Sequence, residues 1–312
     1  MAAPRPFRFG IQASAAPSRA AWTEIARKVE DLGYATLTVA DHLDDQFATT
    51  PALMAAAGVT SSLRLGALVY ANDYHHPVLL AKEAATLDLL SDGRLELGMG
   101  AGWMRDDYEQ AGIPFDRPSV RIARLGEAIT VVKGLMGDEP CSFTGDHYRI
   151  TGMHGTPKPV QRPHPPILVG GGGHKLLTLA GREADIIGLN IDMRAGYIGE
   201  PSGPTATAES TDEKLGWIRA AAGDRFDDIE LQVRIHFALV TDDLEGTAEV
   251  VSPYFGLTPA QGLETPHALA GTVDQIVETC LARRERFGIS YIGLSVDALD
   301  MFAPVVARLA GR

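Results

Sequence analysis

Apolar and polar positions along this chain fall into short strand-like runs that alternate with helical stripes. Phe7-Arg8-Phe9-Gly10-Ile11-Gln12 reads as a first strand ending at a polar Gln12. A helix follows from about Ser18, with Trp22, Ile25, Ala26, Val29 and Leu32 on one stripe and Gly33 as its stop. Thr36 to Ala40 is a second strand that delivers Asp41-His42. Leu65 to Tyr70 is a third, a short apolar run bounded by charge, followed by Asn72, Asp73, His75 and His76. Pro77 then opens a helix, where its missing N–H costs nothing, and Leu80, Ala84 and Leu87 share one face until Ser91-Asp92-Gly93. Leu95 to Gly98 is the fourth strand and runs into Gly98-Met99-Gly100-Ala101-Gly102-Trp103. Strand, helix and strand in this order make a parallel pair whose C-terminal ends open on one side. A ligand is expected on that side.

Ile122, Leu125, Ile129, Val132 and Met136 mark a long helix closed by Gly137, and a small hairpin is expected around Gly145-Asp146. A proline-rich stretch leads to a fifth strand, Ile167 to Gly170, which Gly171-Gly172-Gly173 joins to a helix bearing Leu176, Leu177 and Ala180. Ile186 to Leu189 is the sixth strand, the seventh lies within Glu230–Leu239, and Tyr291 to Ser295 is the eighth. Ser210 with Glu213, and Thr272 with Gln275, read as capping boxes. Segment 191–210 shifts to Gly, Pro, Thr and Ser without usable periodicity and reads as a lid or a disordered segment, and it and 252–270 are expected to close over the substrate. Eight strands alternating with helices predict an α/β chain: one (β/α)8 TIM-barrel domain over 1–312, with insertions at about 141–166, 191–210 and 252–270.

Composition narrows the partners. The 312 residues are 45% hydrophobic with a formal net charge of −12, and no cluster of Lys and Arg resembles a nucleic-acid footprint. Two cysteines, Cys141 and Cys280, supply neither a disulfide framework nor a cysteine-rich zinc site. No signal-peptide core and no bilayer-length apolar run is present, so a cytoplasmic protein acting on a small molecule, without nucleic acid or membrane, is expected.

In such a barrel the loops after the strands build the site. Gly171-Gly172-Gly173 before a helix offers bare N–H groups and a positive helix end to a phosphate, or serves as a turn that lets the helix pack close. Asp41-His42 is a base with its tuning neighbour, or a strand-end cap in which Asp41 accepts backbone N–H bonds. Neighbours on an extended strand point apart, so the two are not expected to pair with each other. Gly98, Gly100 and Gly102 leave room for a flat ring against backbone, with Trp103 as a wall or a core residue. His75 and His76 invite a metal, but His76 before Pro77 suits helix entry better, and no metal is assigned.

With these residues in view, the sequence resembles the bacterial luciferase-like superfamily, and most closely its coenzyme F420-dependent actinobacterial branch. The resemblance rests on Asp41-His42, His76-Pro77 through Asp88, Asp92-Gly93-Arg94-Leu95, Gly98 through Trp103, Gly145-Asp146-His147-Tyr148 and Pro165 through Gly172. It implies an oxidoreductase that passes hydride between F420 and a small organic substrate, with an FMN-dependent two-component monooxygenase as the alternative. A flavin-holding barrel without turnover is a third reading. A homodimer is the usual assembly of such proteins. The resemblance places a bulge at Val69-Tyr70-Ala71, often with a non-prolyl cis peptide, behind the cofactor ring. It places Gln12, Asn72, Gly100 and Trp103 around that ring, and Gly171, Gly172, Gly173 and the helix start at His174 on the phosphate. Asp41 and His42 then sit at the reacting edge, and Glu109, with Asp107 as the other candidate, supplies the acid expected after the fourth strand. Arg105, Lys158 and Lys175 are the cations available to the cofactor's acidic tail.

Overall fold

The computed structural model describes residues 4–194, 196–197 and 199–312. Its first half runs β1 (Arg8–Gln12), α1 (Arg19–Asp31), β2 (Thr36–Val39), α2 (Thr49–Ala57), β3 (Arg64–Ala67) and β4 (Tyr70–Ala71). Next come α3 (Pro77–Leu90), β5 (Leu95–Gly100), α4 (Arg105–Ala111), α5 (Pro118–Met136), β6 (Cys141–Thr144), β7 (Arg149–Met153) and β8 (Ile167–Gly171). The second half holds α6 (His174–Glu183), β9 (Ile186–Leu189), α7 (Ala208–Ala222), β10 (Glu230–Arg234), β11 (Phe237–Val240) and α8 (Leu244–Phe255). It ends with α9 (Pro259–Glu264), β12 (Ala268–Gly271), α10 (Val273–Phe287), β13 (Ile289–Ser295) and α11 (Leu299–Leu309).

Hydrogen-bonded strand order is β3-β2-β1-β13-β10-β9-β8-β5-β4, and β3 also pairs with β5. With β3 and β4 taken as halves of one strand, neighbours follow chain order and the ring closes. This is the topology of a parallel (β/α)8 TIM barrel, as the alternation predicts. Among the described residues no helix is long and apolar enough to cross a membrane.

The chain divides into two compact units. The first takes in the chain up to Ala13, Lys28–Leu37 and Gly170–Arg312. In it β1 pairs with β13 from Arg8↔Tyr291 to Gln12↔Ser295, and β10 lies between β13 and β9. The strands are apolar because both faces are covered: Phe9, Ile11, Leu37 and Leu294 are fully buried. The expected seventh strand is two elements. β10 stops at Arg234, Ile235 and His236 turn away with backbone bonds to Gly293 and His267, and β11 pairs with β12 in a separate parallel ladder.

The expected loop 252–270 is corrected as well. Ser252–Phe255 finish α8, a Thr258–Gln261 capping box opens α9, and β12 follows. In 191–210, Ala195 and Ile198 lie outside the described residues, while Ile191 and Ala206 pack fully buried with Val251 and Phe255. A 3-10 turn occupies Glu200–Thr205, and α7 starts at Ala208 with Thr207 as its cap rather than Ser210. The Thr272–Gln275 capping box is present.

The second unit is Ser14–Arg27 with Thr38–Val169. Its third-strand register shows the bulge: Gly66 faces Glu96 and Tyr70 faces Met99, so four steps on one strand match three on the other. The Leu68–Val69 peptide in this bulge is cis. The bulge accounts for Gly98 and Gly100. A Cβ at Gly98 would strike the Ala67 carbonyl, and one at Gly100 would strike the Val69 side chain. Gly102, at a φ of +72°, likewise receives the Tyr108 hydroxyl. Each of these glycines therefore has a packing reason within the protein itself. The predicted hairpin is β6–β7, and the Glu127 carboxylate accepts from the turn N–H groups of Asp146, His147 and Tyr148. Helices α2 and α4 were not expected from the pattern.

Candidate active site

In the second unit β2 ends at Val39, and two residues on the chain presents Asp41 and His42 to different partners. The Asp41 carboxylate accepts the Ala71 N–H at 2.9 Å and the Thr49 hydroxyl at 3.2 Å, and bonds His75 Nε2 at 2.8 Å. It therefore ties the end of the bulge to the end of β2, which is the strand-end cap among the readings above. His42 turns the other way. Its Nδ1 lies 2.7 Å from Asp107 Oδ2. Asp107 is only 5% exposed, and its carboxylate also accepts the Leu43 N–H at 3.3 Å and the Tyr74 hydroxyl at 3.3 Å. A carboxylate so placed holds the Nδ1 proton, so His42 Nε2 is left to act, and it takes no protein partner among the described residues. The Trp103 ring meets the His42 ring edge-on at 5.5 Å and 89°. Burial first, and the Asp107 charge next, push the Tyr74 phenol above its ordinary range, so it stays a donor to that carboxylate.

Helix α5 secures α4, and through it Asp107. Arg121 donates to the Gly102 carbonyl at 2.7 Å and lies over the Phe115 ring at 4.2 Å. Arg124 bridges Asp73 at 2.8 Å and Asp116 at 2.5 Å, and Tyr108 donates to Asp73 at 3.1 Å. The apolar stripe of the long helix marks neither Arg121 nor Arg124; only the fold shows what they reach.

Glu109 lies elsewhere: its side chain is 61% exposed and pairs with Arg105 at 3.5 Å. Asp107, not Glu109, is the carboxylate set against His42. Of the bulge residues, Val69 packs on the Gly100 position, Tyr70 is buried with its hydroxyl 2.8 Å from Thr50, and Ala71 gives its N–H to Asp41. Asn72 is 1% exposed, donates to the Tyr148 hydroxyl at 3.3 Å, and keeps an enclosed Oδ1 with no partner. His76 caps α3 by accepting the Val78 N–H at 3.3 Å, and His75 is taken up by Asp41. Among the described residues no group of three His, Cys, Asp or Glu is placed to hold a metal.

The first unit holds most of the remaining candidates. Gln12 ends β1 opposite Ser295. Gly171 ends β8, and a Cβ on Gly172 would run into the backbone of Asn190 and Ile191, so that glycine is needed for packing. At Gly173 a Cβ would meet nothing nearer than Asp192 Oδ2 at 3.6 Å. Gly173 gives α6 no side-chain cap, and the first turn has no acidic residue, so the helix start keeps its amide dipoles available. Asp192 nearby is paired with Arg194 at 2.7 Å. His174 is exposed and rests on the Trp217 ring at 4.8 Å. His236 follows β10, bonds Asn190 Oδ1 at 2.8 Å, and is driven to about 3 by burial first and by Arg234 second. It is neutral in the working range. Of the three proposed tail cations, Lys158 is withdrawn, since its ammonium binds the Leu135 and Gly137 carbonyls at the end of α5. Arg105 and Lys175 remain exposed.

The fold is a TIM barrel that carries an imidazole–carboxylate pair after its second and fourth strands. Residues 5–254 match the sequence model of the luciferase-like monooxygenase family, and the chain belongs to that family. An uncharacterised protein of Mycobacterium tuberculosis is 37% identical over 147 residues, 46% of this chain and 51% of that one. The chain thus spans about half the length of that curated relative. The F420-dependent glucose-6-phosphate dehydrogenase of Nakamurella multipartita is 29% identical over 253 residues, covering 77% of this chain and 70% of that enzyme. The FMNH(2)-dependent dimethylsulfone monooxygenase of Pseudomonas putida is 33% identical over 146 residues, 47% of this chain and 39% of that enzyme. Among solved structures, the coenzyme F420-dependent tetrahydromethanopterin reductase of Methanopyrus kandleri superposes with a TM-score of 0.76 at 18% identity. That match covers 97% of this chain and 99% of the reductase, and it establishes the fold.

Proposed function

We propose that this protein is an F420-dependent oxidoreductase that moves a hydride between the deazaflavin and a small organic substrate. The observation that carries the reading is the His42–Asp107 pair, 2.7 Å apart, with Nε2 of the imidazole unclaimed among the described residues. The deazaflavin, when bound, supplies a carbon that gives or takes hydride and a ring that reacts poorly with oxygen.

The chain's own residues supply the rest. Each hydride taken from an alcohol-type carbon leaves one proton to be removed, and His42 Nε2 takes it; in reverse, the imidazolium returns it. Asp107 holds Nδ1–H and stabilises the imidazolium, while Tyr74 and the Leu43 N–H keep that carboxylate in place. Asp41 fixes the bulge at Ala71, the surface on which the ring is to rest. Gly173 and the open start of α6 suit the cofactor phosphate, because uncapped N–H dipoles favour an oxyanion. The enclosed, unpartnered Oδ1 of Asn72 is an acceptor left for a donor on a bound group.

The breadth of the match to the Nakamurella multipartita enzyme, 77% of this chain, supports F420 over FMN. A second reading, an FMN-dependent monooxygenase, draws on the Pseudomonas putida relative. Titration of the purified chain with each cofactor separates the two. Saturable F420 binding with weak FMN binding supports the proposal, and the reverse order overturns it. A barrel that holds its cofactor without turnover would keep every cofactor-linked rate in His42→Ala.

A further inference from the structure

The end of β10 carries a cation that the redox reading does not use. Partly buried arginines of this chain are matched by acids, as Arg8 is with Glu230, Arg64 with Glu96 and Arg124 with Asp73 and Asp116, or spend both terminal nitrogens on backbone carbonyls, as Arg94, Arg225 and Arg283 do. Arg234 has no such match. Its Nη1 donates to the Ile235 carbonyl at 2.9 Å and the Gly293 carbonyl at 3.3 Å, and no carboxylate among the described residues pairs with it. Its Nε and Nη2 take no protein partner among the described residues, and neither is among the fully enclosed atoms that lack one. Half of the guanidinium fork is thus held rigid by backbone and half is open.

The surroundings sharpen this. Lys214, 1% exposed, spends its ammonium on the Asn190 and Thr205 carbonyls at 2.8 and 2.5 Å. Arg283 donates to the Thr265 and Ala268 carbonyls at 2.7 and 2.8 Å. His236 and His267, rings 6.0 Å apart, are both kept neutral by burial. The charged groups acting on these histidines are Arg234, Lys214 and Arg283, all positive. Asp192 and Glu213 act on Lys214, and the Tyr254 phenol is the oxygen acting on Arg234. Burial lowers Arg234 to about 10, which marks a desolvated cation without a counter-charge.

We infer that the open edge of Arg234 is a binding site for the oxyanion of a small organic ligand, a carboxylate or a phosphate monoester. A planar fork with two free donors matches two oxygens of either group, and an anion supplies the charge that the fold leaves out. A purely structural latch to β13 would need only the Nη1 bonds, and a neutral amide could make them. The inference stands on this unit alone and goes beyond the redox reading.

The test is calorimetric titration of the full chain at low ionic strength with acetate and with inorganic phosphate, on wild type, Arg234→Gln, Arg234→Lys and Tyr254→Phe. Gln keeps a donor for the carbonyls and loses the charge. Saturable binding is expected in wild type, weakened at least tenfold in Arg234→Gln, partly retained in Arg234→Lys and reduced in Tyr254→Phe. The tighter probe identifies the group, phosphate or carboxylate. Absence of saturation by either probe overturns the inference, as does binding indifferent to Arg234, which phosphate held at Gly171–Gly173 would give. Should Arg234→Gln not fold, Arg234→Lys and Tyr254→Phe decide, and unchanged affinity in both overturns it. F420 titration of the same variants keeps the two claims apart, since F420 affinity is expected to be unaffected whatever the oxyanion result.

Discussion

Asp41→Ala is expected to release the bulge between β3 and β4. In the native chain the carboxylate meets three donors: the Ala71 N–H at 2.9 Å, the Thr49 hydroxyl at 3.2 Å and His75 Nε2 at 2.8 Å. They do not lose equally. Thr49 keeps the Ala40 carbonyl at 2.9 Å, and His75, 25% exposed, can turn to water. The Ala71 N–H, on a residue 7% exposed, is left enclosed with nothing to bond. A hydrogen bond to a charged acceptor contributes ~1.5–3 kcal/mol, so local opening at Ala71 becomes easier by about 2–3 kcal/mol. That converts to roughly 30- to 150-fold faster amide exchange at this one residue. Asp41→Asn, which keeps a neutral acceptor, falls between, at about tenfold. Residue-resolved hydrogen exchange reads the effect directly, and amides of β13 serve as the internal control. Unchanged Ala71 protection in Asp41→Ala would refute the claim that this carboxylate anchors the bulge.

Asp107→Asn removes the charge that stabilises the imidazolium and is expected to cut kcat/KM by roughly 10- to 150-fold, from ~1.5–3 kcal/mol per charged bond. His42→Ala should cost about 10²- to 10⁴-fold, the usual share of a general acid–base, with F420 affinity within about threefold. Equal rates in wild type and either variant would contradict the proton role. Glu109→Gln, on an exposed side chain, should leave kcat/KM within about twofold, and a large loss there would return Glu109 to the site. His236 is held neutral to about 3, below its free value of 6.5. Between those values the unfolded chain binds a proton that the folded chain refuses, so stability falls as pH drops through that window. His236→Asn should flatten this acid slope in chemical unfolding, and an identical slope in both proteins would count against it.

Much of the barrel could be read from the chain because its strands are short apolar runs and most helices carry a polar face. Where that contrast fails, so does the reading. Helix α2 is Thr-Thr-Pro-Ala-Leu-Met-Ala-Ala-Ala, with no charged stripe for a helical period to mark. Helix α9 spans six residues, too few for any period, and its Thr258–Gln261 cap was the available signal. Glycines 98, 100 and 102 invited a ligand reading because a sequence does not show which neighbour fills the missing Cβ. At the site, Asp41 and His42 take different partners, the outcome strand alternation suggests, although β2 itself ends at Val39. The choice between Asp107 and Glu109 did not. Two residues apart on α4, they point about 200° from each other, so only one can face His42, and knowing which requires the helix's orientation. His42 and Asp107 are 65 positions apart in sequence, a distance no local pattern bridges.

A deazaflavin bound beside His42 is the core of the proposed function. The most direct measurement is anaerobic equilibrium titration of the purified chain with F420 and with FMN, in wild type and Asp41→Ala. Saturable F420 binding is expected in wild type, with much weaker FMN binding and loss of F420 affinity in Asp41→Ala as the bulge loosens. Tight FMN binding with no saturable F420 binding would contradict it.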